Sequence, residues 1–263
     1  MNRAVRKRAK KALAKLEKRL SKNRGDNLDS LMTKLPDEQG AKVLALFDPP
    51  SDTEPSQMIA ILVKDLMEST ETDATQIVPN FLHRTQNEKI DCSSGCAWCC
   101  HEPLQVSILG AVSVANYILE QDLVEDFTLK LDPYVLSLQK TQNKRSLLKQ
   151  DFQPCPFLSE DKKCGVYEAR PVICRAFHSK SVETCQELVR TENPEREVPC
   201  FPRLFGFTGL RLSGARRALR DLGLDDRPVV LAAAVQLLLE DFAGVTEAWL
   251  NGDDVFDNVV IKE

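Results

Sequence analysis

The chain has 263 residues, of which 43% are hydrophobic and 28% charged, and its formal net charge is -4. These values are ordinary for a globular protein with a substantial hydrophobic core, in one large domain or two small ones. The sequence excludes a membrane-spanning helix, because its longest apolar run, residues 229–239, is too short and is interrupted by Gln236.

The first 24 residues form a basic segment with eleven Lys and Arg and one acid, Glu17, whereas the other 239 residues carry a net charge of -14. Apolar residues recur there every three or four positions, which predicts an amphipathic helix over residues 3–23. We expect it to lie on the body with its basic face in solvent; the alternative is contact with nucleic acid or an anionic membrane. No apolar stretch of a signal peptide follows, so we expect a cytoplasmic protein.

Helical periodicity recurs along most of the remaining chain. We predict helices over residues 56–69, 107–121, 124–149, 181–190, 213–223 and 228–242, with Ser107 and Ser213 as N-caps. The stretch FDPPSDTEPS, residues 47–56, predicts a linker, and residues 70–91 a polar connector. Two short apolar runs around a charged turn predict a small β-hairpin in CPFLSEDKKCGVY, residues 155–167.

Eight of the nine cysteines lie between residues 92 and 185, and the run CSSGCAWCC at 92–100 contains four of them. An odd number of cysteines, two of them adjacent, is a poor disulfide framework. On a helix, at about 100° per residue, these four would fall within an arc of about 100°, and a loop entering a helix would also bring them together. Because thiolates held so close repel unless a cation neutralises them, the run predicts a soft-metal site.

The spacing of Cys92, Cys96 and Cys99, with Trp98 before the last cysteine, also resembles the local motif of radical S-adenosylmethionine enzymes. In that family three cysteines hold a [4Fe–4S] cluster. The resemblance implies a βα barrel after the motif, whereas helical patterns follow here. Cys100 and five later cysteines also have no place in that motif.

A broader set of motifs spans residues 90–187. After the CxxxCxxCC run come Cys-Pro-Phe-Leu at 155–158, Cys-x-x-Tyr-Glu-x-Arg-Pro at 164–171 and Cys-Arg at 174–175. This order resembles the YkgJ-type cysteine-cluster family, the CxxCxxCC zinc- or iron-chelating domain. The resemblance implies eight metal ligands: Cys92, Cys96, Cys99, Cys100, Cys155, Cys164, Cys174 and Cys185.

The same resemblance implies a distant relation to the FliB-type flagellin lysine methylases. Outside the cluster the chain has no glycine-rich motif for S-adenosylmethionine. Where relatives often have an acidic residue at the start of the next helix, it has the apolar SILGAVSV.

The spacing leaves the metal open. Eight thiols fit two four-thiolate zinc sites, or one [4Fe–4S] cluster with thiols to spare. The compact CxxxCxxC triplet favours the iron–sulfur cluster, with zinc second. Arg170 and Arg175 are candidates for offsetting thiolate charge, although Arg170 alternatively caps a turn and pairs with a surface acid. His101, His178 and Cys200 are further candidate ligands, but isolated residues of these types more often have structural roles.

The predicted fold is mostly α: a single helical domain with a small β-hairpin, organised around a cysteine-ligated metal site. We divide it into a basic N-terminal arm (1–30), a helical N-terminal region (31–87), a metal-binding core (88–205) and a C-terminal helical region (206–263).

Two functions remain open at this stage. One is a metal-binding cysteine-cluster protein, a redox role of an iron–sulfur cluster included, and the other is an S-adenosylmethionine-dependent protein lysine methyltransferase. The sequence does not decide whether the protein is an enzyme. Besides the metal, we expect a protein partner.

Overall fold

The computed structural model describes residues 3–23, 28–47, 55–84, 89–93, 95–201, 205–207 and 209–263. Over these residues the structure is 65% helical and contains one two-stranded antiparallel sheet, which confirms the predicted mostly α fold. Among the helices described, none combines the length and the apolarity needed to cross a bilayer.

Helices make up most of the described elements, and two short strands lie among them. In chain order they are α1 (Arg3–Leu20), α2 (Leu28–Leu46), α3 (Pro55–Arg84), β1 (Gln105–Ser107), α4 (Ile108–Glu120), α5 (Val124–Leu138), α6 (Arg145–Leu148), α7 (Val172–Ala176), α8 (Val182–Thr191), α9 (Leu210–Leu222), β2 (Pro228–Val230), α10 (Leu231–Glu240) and α11 (Phe242–Asn251). Short 3-10 turns lie at Trp98–His101, Gln139–Thr141, Tyr167–Ala169 and Asp257–Val259.

One hydrophobic core runs through the described parts, from Val5 in α1 to Ile261 near the C-terminus. Its centre is α4, which packs against α3, α5 and α10 and buries eight of its thirteen residues. The helices α1, α2 and α9 pack on one another beside it, and α3 contacts both groups. The cysteine segments therefore rest on a helical body whose main helix, α4, directly follows the first of them.

The N-terminal helix lies on the body, as predicted. The side chains of Val5, Ala9 and Leu16 are at most 4% exposed, in contact with α2 and α9. Arg8 donates a hydrogen bond to the carbonyl oxygen of Leu222 at 3.0 Å, at the end of α9.

The β element does not lie where it was predicted. Residues 155–167 form turns with a single bridge between Leu158 and Cys164, and the sheet instead pairs β1 with β2, with Val106 opposite Val229. Each of these strands leads straight into a buried helix, α4 or α10. The pairing therefore fixes where those two helices begin. Because the paired strands are far apart in the sequence, local sequence patterns do not reveal this pairing.

Several helix boundaries also differ from the predictions. The helix α2 was not predicted, and α3 continues the predicted helix 56–69 to Arg84, through most of the predicted polar connector 70–91. Residues 48–54 of the predicted linker 47–56 lie outside the described part. Pro36 lies inside α2, which hid this helix in the sequence. The predicted helix 124–149 stops at Leu138, and positive φ angles at Gln142 and Asn143 turn the chain. A helix that was not predicted, α11, begins after Asp241, whose carboxylate accepts from the amide of Gly244.

Ser107 caps α4 as predicted, since its hydroxyl accepts from the amide of Gly110 at 3.2 Å. The cap predicted at Ser213 is wrong. The helix α9 already begins at Leu210, and the Ser213 hydroxyl donates to the Leu210 carbonyl within it.

The crossing of α2 and α9 gives the first testable prediction. The α carbon of Gly214 faces the backbone of Pro36, so a β carbon there would collide with main-chain atoms. We expect Gly214→Ala to lower the free energy of unfolding by about 1–3 kcal/mol, as overpacking does. Urea unfolding followed by circular dichroism measures this.

The matched control is Gly110→Ala in α4, where a β carbon would meet its nearest neighbour, the Val106 side chain, at 3.4 Å. Alanine has the higher helix propensity, so this variant should be at least as stable as the parent. Equal effects of the two substitutions would contradict the close crossing.

Candidate metal centre

The first cysteine run is a loop that ends in a 3-10 turn. Gly95 has a φ of 83°, a left-handed conformation that glycine adopts without strain, and the amide of Cys96 closes the turn on the carbonyl of Ser93 at 3.0 Å. Cys99 and Cys100 then lie on the 3-10 turn Trp98–His101. The adjacent pair is thus presented on a tight turn and not along an α-helix.

A hydrogen bond joins this run to the second cysteine segment. The amide of Cys155 donates to the carbonyl of Cys100 at 2.7 Å. The turn that follows is closed by the amide of Gly165 on the carbonyl of Phe157 at 2.7 Å. Phe157 is 2% exposed and packs on Phe127 of α5, with ring centroids 5.5 Å apart. The body of the protein therefore holds Cys155 and Cys164 beside the first run.

The third cysteine segment, residues 174–185, lies beside the start of the first run. The amide of Ser179 donates to the sulfur of Cys92 at 3.1 Å, and the carbonyl of Ser179 accepts from the amide of Asp91 at 2.9 Å. The Asp91 carboxylate in turn accepts from the amide of Val182 at 2.8 Å, at the beginning of α8. Cys185 lies one turn into this helix and is 6% exposed. Cys92 and Cys185 are brought together in this way.

All nine cysteines are free thiols. Cys99 is the thiol that the others share, because its negative charge would raise the pKa of five other cysteines: Cys92, Cys155, Cys164, Cys174 and Cys185. Its own thiol is hydrogen-bonded to that of Cys100. Cys99, Cys100 and these five cysteines make up seven of the eight predicted ligands. The eighth, Cys96, lies close enough to Cys92 and Cys185 for its charge to raise their pKa values.

The pKa values of six of these thiols are raised, so these six carry protons at ordinary pH: Cys92, Cys99, Cys155, Cys164, Cys174 and Cys185. Burial raises the pKa of Cys155 and of Cys174 to about 12, and it also raises the pKa of Cys164. The hydrogen bond with Cys100 raises the pKa of Cys99 far above its usual range. Several of these thiols can therefore lose their protons together only when a cation lies among the sulfurs.

The donor chemistry fits a soft metal, although the coordination sphere is not preassembled. Within the described ranges, no three Cys, His, Asp or Glu side chains are placed to hold one ion. The thiols approach each other in two sets. One contains Cys92, Cys96 and Cys185, the other Cys155, Cys164 and Cys174, and the Cys99–Cys100 pair adjoins the two.

The two predicted arginines have different roles. Arg170 faces the thiols: its side chain is hydrogen-bonded to Cys174, and although burial opposes its charge, the surrounding thiols raise its pKa. Arg175 instead donates to the carbonyls of Tyr167, Glu168 and Arg170 and pairs with Glu71 of α3 at 2.8 Å. Arg170 is thus the guanidinium that is bonded to a thiol, while Arg175 holds the loop that presents it and also favours the thiolate of Cys164 through its charge.

The remaining candidates lie at the edge of the site. His101 and His178 each donate from Nδ1 to a backbone carbonyl, of Ala97 at 3.1 Å and of Ala176 at 3.0 Å. Such bonds orient structural and metal-bound histidines alike. Cys200 pairs through its backbone with Ser179. Tyr167 is 56% exposed and lies under Arg175, which gives it a packing role.

A cavity of about 650 Å³ adjoins the thiols, and the sequence did not predict it. Cys99, Cys100, Cys155, Cys174 and Arg170 line one side, and the rest of the wall is mostly apolar, with Trp98, Phe177 and Phe205. Glu102 and Lys149 add two opposite charges; burial raises the pKa of Glu102, which the charge of Lys149 partly offsets. Glu102 lies two residues after the cysteine run, and this position is the signal by which the sequence could have indicated it. The cavity gives small molecules a route to the thiols.

Comparisons with known proteins agree with this geometry. Residues 91–200 match the model of the CxxCxxCC family, described as "Putative zinc- or iron-chelating domain". All eight predicted ligands lie inside the match, which extends beyond the predicted limit of 187 and ends at Cys200. Neither the curated proteins nor the solved structures contain a match to the chain. The relation to FliB-type methylases stays a prediction. Residues 91–200, somewhat under half of the chain, are therefore similar to the CxxCxxCC family of zinc- or iron-chelating domains.

Proposed function

We propose that the protein is a metal-binding protein whose cysteine thiolates hold an iron–sulfur cluster. The observation that carries this proposal is the convergence of cysteines from three chain segments: Cys99, Cys100, Cys155, Cys174 and Cys185 line one cavity, and the amide of Cys155 bonds the carbonyl of Cys100. Crowded, half-buried thiols ionise together only with a cation among them, and soft metals are the cations that sulfur prefers. A cluster bound there would supply redox chemistry, and the residues around it would tune its potential.

The two thiol sets suggest how the ligands are divided. We assign Cys92, Cys96, Cys99 and Cys185 to one four-thiolate set, and Cys100, Cys155, Cys164 and Cys174 to the other. The hydrogen bond between the Cys155 amide and the Cys100 carbonyl supports the second assignment. The Ser179 amide, which donates to the Cys92 sulfur, is a partner that stabilises a thiolate in the first set. The compact Cys92–Cys96–Cys99 triplet places the iron–sulfur cluster in that first set.

The chemical nature of the metal is testable directly. Protein purified without oxygen should be brown and contain iron and acid-labile sulfide in roughly equal amounts, as a [4Fe–4S] cluster requires. Visible absorption and metal and sulfide analysis measure this. Colourless protein with stoichiometric zinc would refute the iron–sulfur assignment and leave metal binding intact, whereas protein free of both metals would refute the proposal as a whole.

The shared position of Cys99 predicts a larger effect there than at the edge of the site. Cys99→Ser should lower metal affinity by more than the about 10–100-fold typical of residues that only support a ligand. Cys200→Ser is the matched control, and its metal content should equal that of the parent. Metal bound per chain and competition with a chelator give the comparison. Full metal retention by Cys99→Ser would contradict its role as a ligand.

Metal affinity should also depend on pH. Cys155 and Cys174 have pKa values of about 12 in the metal-free protein, above the 9.0 of a free thiol, so both carry protons at pH 7. Binding a cation to their thiolates releases these protons, and the affinity should rise between pH 6 and pH 8 by about tenfold per pH unit for each proton released. Titration of metal-free protein with Zn²⁺ at several pH values, with a pH indicator, measures both quantities.

The double variant Cys155→Ser, Cys174→Ser should release about two fewer protons than the parent. Affinity that does not change with pH, or equal proton release by both proteins, would remove these two thiols from the ligand set.

A further inference from the structure

The outward face of α1 carries seven Lys and Arg side chains that are exposed and that pair with no carboxylate or carbonyl in the described part of the chain: Arg3, Arg6, Lys7, Lys10, Lys11, Lys15 and Lys18. At about 100° per residue they cover about half of the helix circumference, opposite the buried stripe, over about 25 Å of length. Glu17 is the one acid on this helix. We call these seven residues the basic face.

The fold does not need this charge. Two other arginines tie α1 to the body: Arg8 bonds the carbonyl of Leu222, and Arg19 pairs with the buried carboxylate of Asp37 at 3.0 Å. The cations of the basic face recur three and four positions apart, and like charges at these spacings weaken a helix. Neutral polar residues would serve packing equally well, so the positive charge points to a ligand outside the chain.

The same packing limits what that ligand is. A helix that enters a membrane surface buries its apolar stripe in the lipid. In α1 this stripe, with Val5, Ala9 and Leu16, is already buried against α2 and α9. The basic face itself has no aromatic residue, so it offers nothing on which the bases of a single strand would stack.

We propose that the basic face binds the phosphate backbone of double-stranded nucleic acid without reading its sequence. A duplex presents closely and regularly spaced negative charges, which match a rigid row of unpaired cations. The rest of the chain, beyond residue 24, carries a net charge of -14 and repels a polyanion, which confines contact to this helix. DNA and RNA duplexes share the chemistry that is recognised.

The test uses full-length, metal-loaded protein and fluorescently labelled 20-base-pair duplexes of DNA and of RNA, with anisotropy as the readout. Binding should weaken steeply as salt rises. Replacing Lys7, Lys10, Lys11 and Lys18 by Gln should weaken it at least tenfold at low salt and reduce the slope of log affinity against log salt by about 3 to 4. Circular dichroism verifies that the variant keeps its helix content.

The matched control replaces four exposed lysines elsewhere, Lys64, Lys89, Lys130 and Lys162, by Gln and changes the net charge equally. It should bind like the parent; the same loss in both variants would overturn the proposal in favour of net charge alone. Absence of salt-dependent binding to either duplex would also overturn it. So would binding only to vesicles of anionic phospholipid, or a basic face that proves necessary only for self-association measured by light scattering. A preference for one duplex identifies which nucleic acid is bound.

Discussion

Crowded thiols, most of them half-buried, are the constraint around which this structure is organised. The pKa values of Cys92, Cys155, Cys164, Cys174 and Cys185 rise because burial and neighbouring sulfurs both oppose a negative charge on them. Backbone amides of Ser179, Phe157 and Val166 donate to the sulfurs, as do the Ser179 hydroxyl and the Arg170 guanidinium, yet Arg170 is the one charged group among these donors. The arrangement makes sense only with a cation at its centre, and it explains why the family is associated with zinc or iron.

The helical body does the positioning. The first cysteine run ends just before β1, whose pairing with β2 fixes the start of α4. The turn after Cys155 packs on α5 through the ring contact of Phe157 with Phe127. The helix α8 is joined to the first run by the hydrogen bond from the Val182 amide to the Asp91 carboxylate. Three segments separated by many residues are therefore brought together by rigid elements, each attached to the core by its own contact.

Much of this was accessible from the sequence. The apolar stripe of α1, the Ser107 cap and the grouping of cysteines all depend on local spacing, and local spacing is what a sequence displays. The helix α2 was missed because Pro36 lies within it, where its packing against α9 outweighs an unfavourable propensity. The β1–β2 pairing joins residues more than 120 positions apart, and the cavity is formed by side chains from several segments. Features of this kind depend on tertiary contacts and leave no periodic signal.

Arg175 gives the site a mechanical connection to the rest of the molecule. One of its nitrogens donates to the carboxylate of Glu71 on α3, while the others donate to carbonyl oxygens of the loop that carries Arg170. The helix α3 lies outside the segment matched by the family, and it contacts α2, α4, α9 and α11. A displacement of α3 would pull on this loop and shift the guanidinium that faces the sulfurs. The electrostatic environment of the thiols thereby depends on the position of a helix that supplies none of the predicted ligands.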